Sequence, residues 1–197
     1  MIHPNFVIVG VILQIIGGWS YFVGTLRGTV KPNRVTWLLW TIAPLVAFAA
    51  ELAQGVGIES LTTFVVGFVP LVIFIASFVN KKSVWHLTRF DLVCGTLSFL
   101  GLTLWYVTKV GNIAILFAMI ADALAAAPTL VKSYHFPETE DYRIYFFGVV
   151  NAAIGILAIS QWNFEHFGFP LYLLVLNLLL VLLIRFKIGK RLQKRNA

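Results

Sequence analysis

Long apolar runs dominate this chain and limit what it can fold into. Of its 197 residues, 59% are hydrophobic and only 12% are charged. A helix needs about 20 apolar residues to cross the hydrocarbon core of a bilayer, and seven stretches approach that length. The sequence therefore predicts an all-α membrane protein with seven transmembrane helices. The predicted spans are residues 6–26, 35–53, 61–79, 90–107, 113–131, 144–160 and 169–184.

The basic residues predict how these spans are oriented. The chain has 15 lysines and arginines, and all except Lys109 fall at one end of the predicted bundle, after spans one, three, five and seven. Lysine and arginine in short loops stay on the cytoplasmic side of a membrane. We therefore expect the amino terminus outside and the carboxyl terminus inside. The net charge of +7 follows from this asymmetry and requires no nucleic acid partner.

A weak internal repeat divides the spans into two groups of three. A shift of 104 residues places the Gly-Thr-Leu at 24–26 on the Pro-Thr-Leu at 128–130, and a shift of 107 places Pro44 on Asn151. Spans one and five have the same direction under the charge rule, so an odd number of helices must separate the groups. The predicted arrangement is 3+1+3. It comprises a first three-helix repeat at 1–80, a linker helix at 81–111, a second repeat at 112–187 and a basic cytoplasmic tail at 188–197.

The order of spans and a few motifs resemble the SWEET and PQ-loop transporters, the MtN3-like superfamily, of which the chain looks like a divergent member. Pro128 and Thr129 stand where that family has a Pro-Gln pair. The stretch FFGVVNAAIG is similar to the sixth SWEET helix, where an asparagine in the place of Asn151 lines the sugar site, and Pro44 replaces the partner asparagine. The WLLW at 37–40 is similar to tryptophan-rich helices of nicotinamide riboside transporters. The resemblance implies alternating-access transport of a sugar- or vitamin-like solute.

Polar residues and prolines fall at one depth in the predicted spans. At about 1.5 Å per helical residue, this depth is near the bilayer midplane, where transporters commonly bind substrate. A proline within a span also leaves one backbone carbonyl without its donor, which suits a ligand contact or a hinge. The predicted substrate-binding residues are Gln14, Trp37, Trp40, Asp122, Asn151 and Asn177, and the predicted gating or hinge residues are Pro44, Pro70 and Pro128. For Asn177, a bond to a neighbouring helix is the structural alternative.

Asp122 is the acid that the sequence places at mid-depth. An ionised carboxylate there costs about 2.5–3.5 kcal/mol, and no lysine, arginine or histidine falls within another predicted span. Protonation, a bound cation or water in a cavity would offset that cost, and all three suit a transport pathway. A neutral acid that bonds another helix is the structural alternative. The acids that follow in the chain, Glu138, Glu140 and Asp141, are expected to form a solvated turn.

These features predict a transporter of a small, polar, largely uncharged solute, with Asp122 as the candidate for proton or cation coupling. A seven-helix receptor of the same topology is the alternative. An enzyme is not expected, because the histidines fall in loops or termini and a single aspartate lies at depth. No cofactor or metal is expected. The expected partners are the solute and the lipid bilayer, and the sequence is compatible with a homo-oligomer. The expected location is the plasma (inner) membrane, as a multi-pass protein.

Overall fold

The computed structural model describes residues 6–53, 60–108, 111–157, 159 and 162–196, and the regular structure in this part of the chain is helical. Each predicted span overlaps one of the first seven α-helices, so the all-α prediction is confirmed. The α-helices are α1 (Phe6–Arg27), α2 (Arg34–Ala53), α3 (Ser60–Ala76), α4 (Arg89–Val107), α5 (Gly111–His135), α6 (Tyr142–Leu157), α7 (Phe164–Arg185) and α8 (Ile188–Asn196).

Four of these helices are long and apolar enough to cross a membrane. Within the described residues, the candidate spans are Ile8–Arg27, Arg89–Val107, Ile115–His135 and His166–Arg185, which belong to α1, α4, α5 and α7. The apolar segments described for α2, α3 and α6 are shorter, between 10 and 17 residues. The expectation of membrane-spanning helices is thus confirmed for α1, α4, α5 and α7 by length and composition.

Large apolar side chains cover the outer surface of the bundle. Val93, Phe99 and Val175, on α4 and α7, are each more than half exposed. A surface of this kind is unusual for a protein in water. It suits contact with lipid tails, where the backbone polar groups must be bonded within each helix. The exposed apolar surface therefore agrees with the membrane-spanning character of the long helices.

The helices pack in a regular order. α3 contacts both α1 and α2, and α7 contacts both α5 and α6. Two further contacts, α1 with α6 and α2 with α5, join these groups, and α4 packs on α5 and α2. The groups therefore meet through α1, α2, α5 and α6.

Small residues allow two of these helix pairs to approach closely. A Cβ added at Gly18 of α1 would overlap Val69 Cγ1 of α3, and one added at Gly101 of α4 would lie 3.0 Å from Ala121 Cβ of α5. Ser98 Oγ also donates a hydrogen bond to the Ala121 carbonyl at 2.6 Å. Close backbone approach and interhelical hydrogen bonds are main sources of attraction between helices in lipid, because no hydrophobic effect drives the helices together there.

The connections that carry the lysines and arginines gather at one end of the bundle, which we call the basic end. α1 terminates there at Gly28, whose φ of +80° is the left-handed conformation that favours glycine at a helix end. Asn33 Oδ1 accepts hydrogen bonds from the Val35 and Thr36 amides and begins α2. Thr88 forms a capping box that begins α4. Helix termini are thus satisfied locally at this end, as the loss of water in a bilayer requires.

The predicted basic tail is also helical. Lys187, with φ of 52°, separates α8 from α7. α8 packs against α5 and α7, and Lys190 Nζ forms an ion pair with Glu138 Oε2 at 2.7 Å. The tail is therefore part of the folded basic end.

Candidate functional site

A cavity of about 750 Å³ lies inside the bundle, and each of α1 to α7 contributes to its wall. Small-ligand sites commonly occupy roughly 300–1,000 Å³. The wall extends from the aromatic residues near the basic end to Trp105 and Phe169 near the opposite end. It includes all six predicted substrate-binding residues, namely Gln14, Trp37, Trp40, Asp122, Asn151 and Asn177.

Asp122 faces the cavity from the middle of α5. Tyr172 Oη of α7 donates a hydrogen bond to Asp122 Oδ2 at 2.8 Å, and the Trp40 indole of α2 is a second donor group beside the carboxyl. Of the residues described, no lysine, arginine or histidine lines the cavity. The acid is therefore held by neighbouring helices, as its structural alternative requires, and it also lines a space that a ligand can occupy.

Two amide side chains of the wall have unused hydrogen-bonding capacity. Gln14 of α1 and Asn151 of α6 make no side-chain hydrogen bond with any other residue in the described ranges. Asn151 Oδ1 lies against Gly10, where an added Cβ would approach it to 2.8 Å. Both side chains are half-buried, and amide groups in an apolar surrounding gain from hydrogen-bond partners. A polar ligand or water inside the cavity would supply them.

Asn177 differs from the other two amides. Its Nδ2 donates a hydrogen bond to the Leu173 carbonyl at 2.8 Å. Both residues belong to α7, so the bond to a neighbouring helix that the sequence suggested is not formed by this group. Its Oδ1 lies against Gly148 of α6, where an added Cβ would approach it to 2.5 Å. Asn177 therefore lines the cavity with only part of its hydrogen-bonding capacity available.

The three predicted hinge prolines occupy two different environments. Pro44 and Pro70 line the cavity, whereas Pro128 is fully buried in α5 and is not part of the wall. Next to Pro128, Thr36 Oγ1 of α2 donates to the Ala125 carbonyl at 2.7 Å, and Thr129 Oγ1 donates to Thr36 Oγ1 at 3.1 Å. Pro128 thus lies where α5 is tied to α2. The hinge role of all three prolines stays a prediction.

Aromatic rings form the floor of the cavity. Trp37 and Tyr145 are buried residues of its wall, and the ring of Trp37 lies 4.6 Å from that of Tyr21 and 5.4 Å from that of Trp40, measured between centroids. Trp37 Nε1 approaches the Tyr21 hydroxyl but makes no hydrogen bond of acceptable geometry. The floor therefore separates the cavity from the basic end with rings that α1, α2 and α6 supply.

A buried ion pair closes the basic end beyond this floor. Lys132 Nζ lies 2.6 Å from Glu140 Oε1, and the two side chains are 1% and 0% exposed. The Tyr21 and Tyr145 hydroxyls donate to Glu140 Oε2 at 2.7 and 3.2 Å, and Lys132 Nζ also donates to the Lys31 carbonyl. We call Tyr21, Lys132, Glu140 and Tyr145 the plug. These hydrogen bonds provide partners for both charged groups, as the burial of two charges requires.

The plug shows that the expectation of a solvated turn at 138–141 was wrong for Glu140. The glutamate is buried because Lys132, on the last turns of α5, provides its counter-charge. Asp141 is half-buried and accepts a hydrogen bond from Ser20 Oγ. Of the three acids in this turn, only Glu138 is exposed. Lys132 likewise lies within α5, whereas its sequence position suggested a loop.

Tyr172, Tyr145 and Glu140 were not among the residues that the sequence predicted for the site. Tyr172 is 50 residues from Asp122, and no helical spacing relates positions on two different helices. Tyrosines in apolar spans are usually assigned to the membrane interface, so neither ring was distinguished by its type. Glu140 lies eight residues after Lys132, and only the turn between α5 and α6 brings the two together. The available signal was the coincidence of one acid and one base beside the same turn.

Comparisons with protein-family models, curated proteins and solved structures found no significant match to this chain. The resemblance to SWEET and PQ-loop transporters therefore stays a prediction that depends on the motifs quoted above.

Proposed function

We propose that this protein is a membrane transporter that moves a small, polar, largely uncharged solute by alternating access. The observation that carries this proposal is the cavity of about 750 Å³, which collects Gln14, Asp122 and Asn151 inside an apolar helical bundle. Polar groups within a membrane span are costly and are found facing cavities and transport pathways. The Gln14 and Asn151 amides can bond a solute that carries hydroxyl or amide groups.

The transport proposal includes a 3+1+3 architecture of seven spans, with α4 as the linker. Its support is the equivalence of the helix contacts. If α1, α2 and α3 correspond to α5, α6 and α7, then the pairs α1·α3 and α2·α3 correspond to α5·α7 and α6·α7, and all four are present. The contact of α1 with α6 likewise corresponds to that of α5 with α2. Two copies of one unit, related by an approximate twofold axis, would pack in this way.

Residues that the repeat matches also line the cavity together. The shift of 107 residues pairs Pro44 with Asn151 and Pro70 with Asn177, and all four belong to the wall. The same shift pairs two further wall residues of α3 with two of α7, namely Thr63 with Pro170 and Val66 with Leu173. A site on the axis between two repeats receives equivalent positions from each of them. The matched positions favour such a site here.

In this proposal the basic end faces the cytoplasm, and the plug is the closed inner gate. Lysine and arginine on that side satisfy the positive-inside rule. The wall of the cavity reaches the opposite end of the bundle, while Trp37, Tyr145 and the plug block the basic end. The conformation is therefore assigned as one in which the inner gate is closed. Release of the solute would require separation of Tyr21 on α1 from Glu140, which lies between α5 and α6.

The proposed orientation predicts the result of cysteine labelling. A cysteine at Asn112, exposed at the start of α5, is expected to react with an impermeant maleimide added to intact cells, because that end faces outward. One at Lys81, exposed at the basic end, is expected to react only after permeabilisation. The background is Cys94→Ala, since the chain has one cysteine. Labelling of a cysteine at position 81 in sealed cells would contradict the proposed orientation.

Solute uptake into proteoliposomes tests the function itself. Purified protein is expected to catalyse saturable uptake of at least one small polar solute from a panel of sugars, polyols, nucleosides and amines, with organic anions inactive. Asn151→Ala is expected to raise the apparent KM of that solute about five- to tenfold, as loss of one hydrogen bond worth about 1 kcal/mol implies. The control is Thr103→Ala, because Thr103 is exposed and bonds only the Phe99 carbonyl of its own helix. Saturable binding without flux would favour a receptor.

A further inference from the structure

We infer that the solute carries one organic ammonium group, which binds at Asp122 beside the Trp40 side chain, on an otherwise uncharged polar body. The inference rests on the proposed transport function and specifies its substrate class. The juxtaposition that carries it is one carboxylate, two unused amides and several aromatic rings among the described residues of one cavity wall.

The carboxylate is the first element of this site. Asp122 Oδ2 accepts the hydrogen bond from Tyr172, which fixes the carboxyl without neutralising it. In the described ranges of the wall there is no basic side chain. The nearest buried base along the same helix is Lys132, about 15 Å away by helix rise, and it is already paired with Glu140. When ionised, the Asp122 carboxyl thus has no counter-charge among the described residues of the wall.

The aromatic rings are the second element. The Trp40 side chain lies beside the Asp122 carboxyl, and its ring is 5.4 Å from that of Trp37 and 6.5 Å from that of Tyr145. The ring of Tyr172, whose hydroxyl bonds the Asp122 carboxyl, is 5.9 Å from that of Phe169, which lines the cavity. Electron-rich ring faces attract organic cations, above all quaternary ammonium groups that hydrogen bonds alone cannot hold. A carboxylate beside aromatic rings in an apolar cavity therefore suits an ammonium group better than it suits a hydroxyl.

The chemistry of the wall also argues against other charged ligands. An inorganic metal ion would need several oxygen ligands in a small shell, and no group of three or more acidic, histidine or cysteine residues that could hold one is found in the described part of the chain. An anion would meet the Asp122 carboxylate with no cation to receive it. An ammonium ion with alkyl substituents balances the charge and also contacts the apolar wall. Gln14 and Asn151 remain available to bond the polar remainder of the solute.

A pair of isosteric probes tests the inference by binding. Choline and 3,3-dimethylbutan-1-ol have the same shape, but a carbon atom replaces the charged nitrogen in the alcohol. Trp37, Trp40 and Trp105 line the cavity, so the intrinsic fluorescence of the purified full-length chain should report occupancy. We expect saturable binding of choline at least tenfold tighter than that of the alcohol. Asp122→Asn is expected to reduce choline affinity at least tenfold, Asp122→Glu to restore part of it, and Glu138→Gln, at an exposed acid, to leave it unchanged.

The outcomes separate this inference from the transport proposal. Equal affinity for the two probes, absence of binding by choline and tetramethylammonium, or full choline affinity in a folded Asp122→Asn variant would overturn the ammonium site. If Asp122→Asn fails to fold, the comparison of the two probes on the wild-type chain still decides. Uptake of a neutral polyol without ammonium binding would reject this inference and leave the transport proposal intact. Tight choline binding without uptake of any solute would reject the transport proposal and leave the ammonium site intact.

Discussion

Lys132→Met is expected to lower the free energy of unfolding by about 3–5 kcal/mol, the usual cost when one partner of a buried ion pair is removed. Methionine keeps most of the length of the lysine chain, so the effect isolates the charge. The Glu140 carboxylate would remain buried, with hydrogen bonds from Tyr21 and Tyr145 but without its counter-charge. The measurement is the thermal or denaturant-induced unfolding of the purified protein in detergent.

A double variant distinguishes loss of the ion pair from loss of packing. Lys132→Met/Glu140→Gln is expected to recover most of that stability, because no charge remains buried and the glutamine oxygen still accepts from the two tyrosines. The matched control is Lys190→Met/Glu138→Gln at the exposed ion pair, whose side chains are 41% and 48% exposed. Exposed pairs contribute about 0–1 kcal/mol. If the Lys132→Met single and double variants unfold alike, the buried charge is not what stabilises the basic end.

The plug gives a physical reason for a barrier between the two states of the proposed transport cycle. Glu140 binds Tyr21 of α1 as well as Lys132 of α5 and Tyr145 of α6, so it connects the two proposed three-helix units. Opening of the basic end would break the Tyr21 hydrogen bond to Glu140 at 2.7 Å and admit water to the ion pair. Water solvates the separated charges, so the open state does not bear the full desolvation cost of the closed state. The same four residues can therefore hold one state and release it.

The helices and several polar residues of the cavity wall were predictable from the sequence, whereas the plug was not. Helix length follows from apolar run length, and depth follows from a constant rise per residue, so Asp122 and Asn151 could be assigned to the same level. Which side chains meet across helices depends on the rotation of each helix about its axis. The periodicity of apolar residues is a weak guide to that rotation in a membrane span, since the lipid-facing and core-facing sides are both apolar. Tyr172 and Trp40 could therefore not be assigned to Asp122.

The basic end illustrates the same limit for charged residues. Charge patterns predicted the orientation of the chain, because that rule depends only on which loop a lysine occupies. They also suggested that Lys132 and Glu140 lie in water, because most lysines and glutamates do. The structure buries both, since each supplies what the other lacks. A sequence pattern that counts charges by loop contains no information about this pairing.

Asp122→Asn is expected to abolish the dependence of concentrative uptake on a proton or cation gradient, while passive exchange of the solute at saturating concentration survives. A carboxylate that binds a cationic group in one step and a proton in another can exchange the two across the membrane, and the isosteric amide cannot titrate. Asparagine still offers an oxygen to Tyr172, which bonds Asp122 at 2.8 Å, so folding should be kept. The measurement is uptake into proteoliposomes with and without an imposed pH difference.

Asp122→Leu separates coupling from packing at this position. Leucine removes the acceptor for the Tyr172 hydroxyl, and an unsatisfied buried donor costs about 1–3 kcal/mol, so a lower unfolding temperature is expected along with loss of uptake. If Asp122 acts only as a structural acid, Asp122→Asn should transport at the wild-type rate under every gradient, and Asp122→Leu alone should be impaired. Gradient-driven uptake by the asparagine variant would thus eliminate coupling through Asp122. The hydrogen bond that joins α5 to α7 would then remain as the role of this carboxyl.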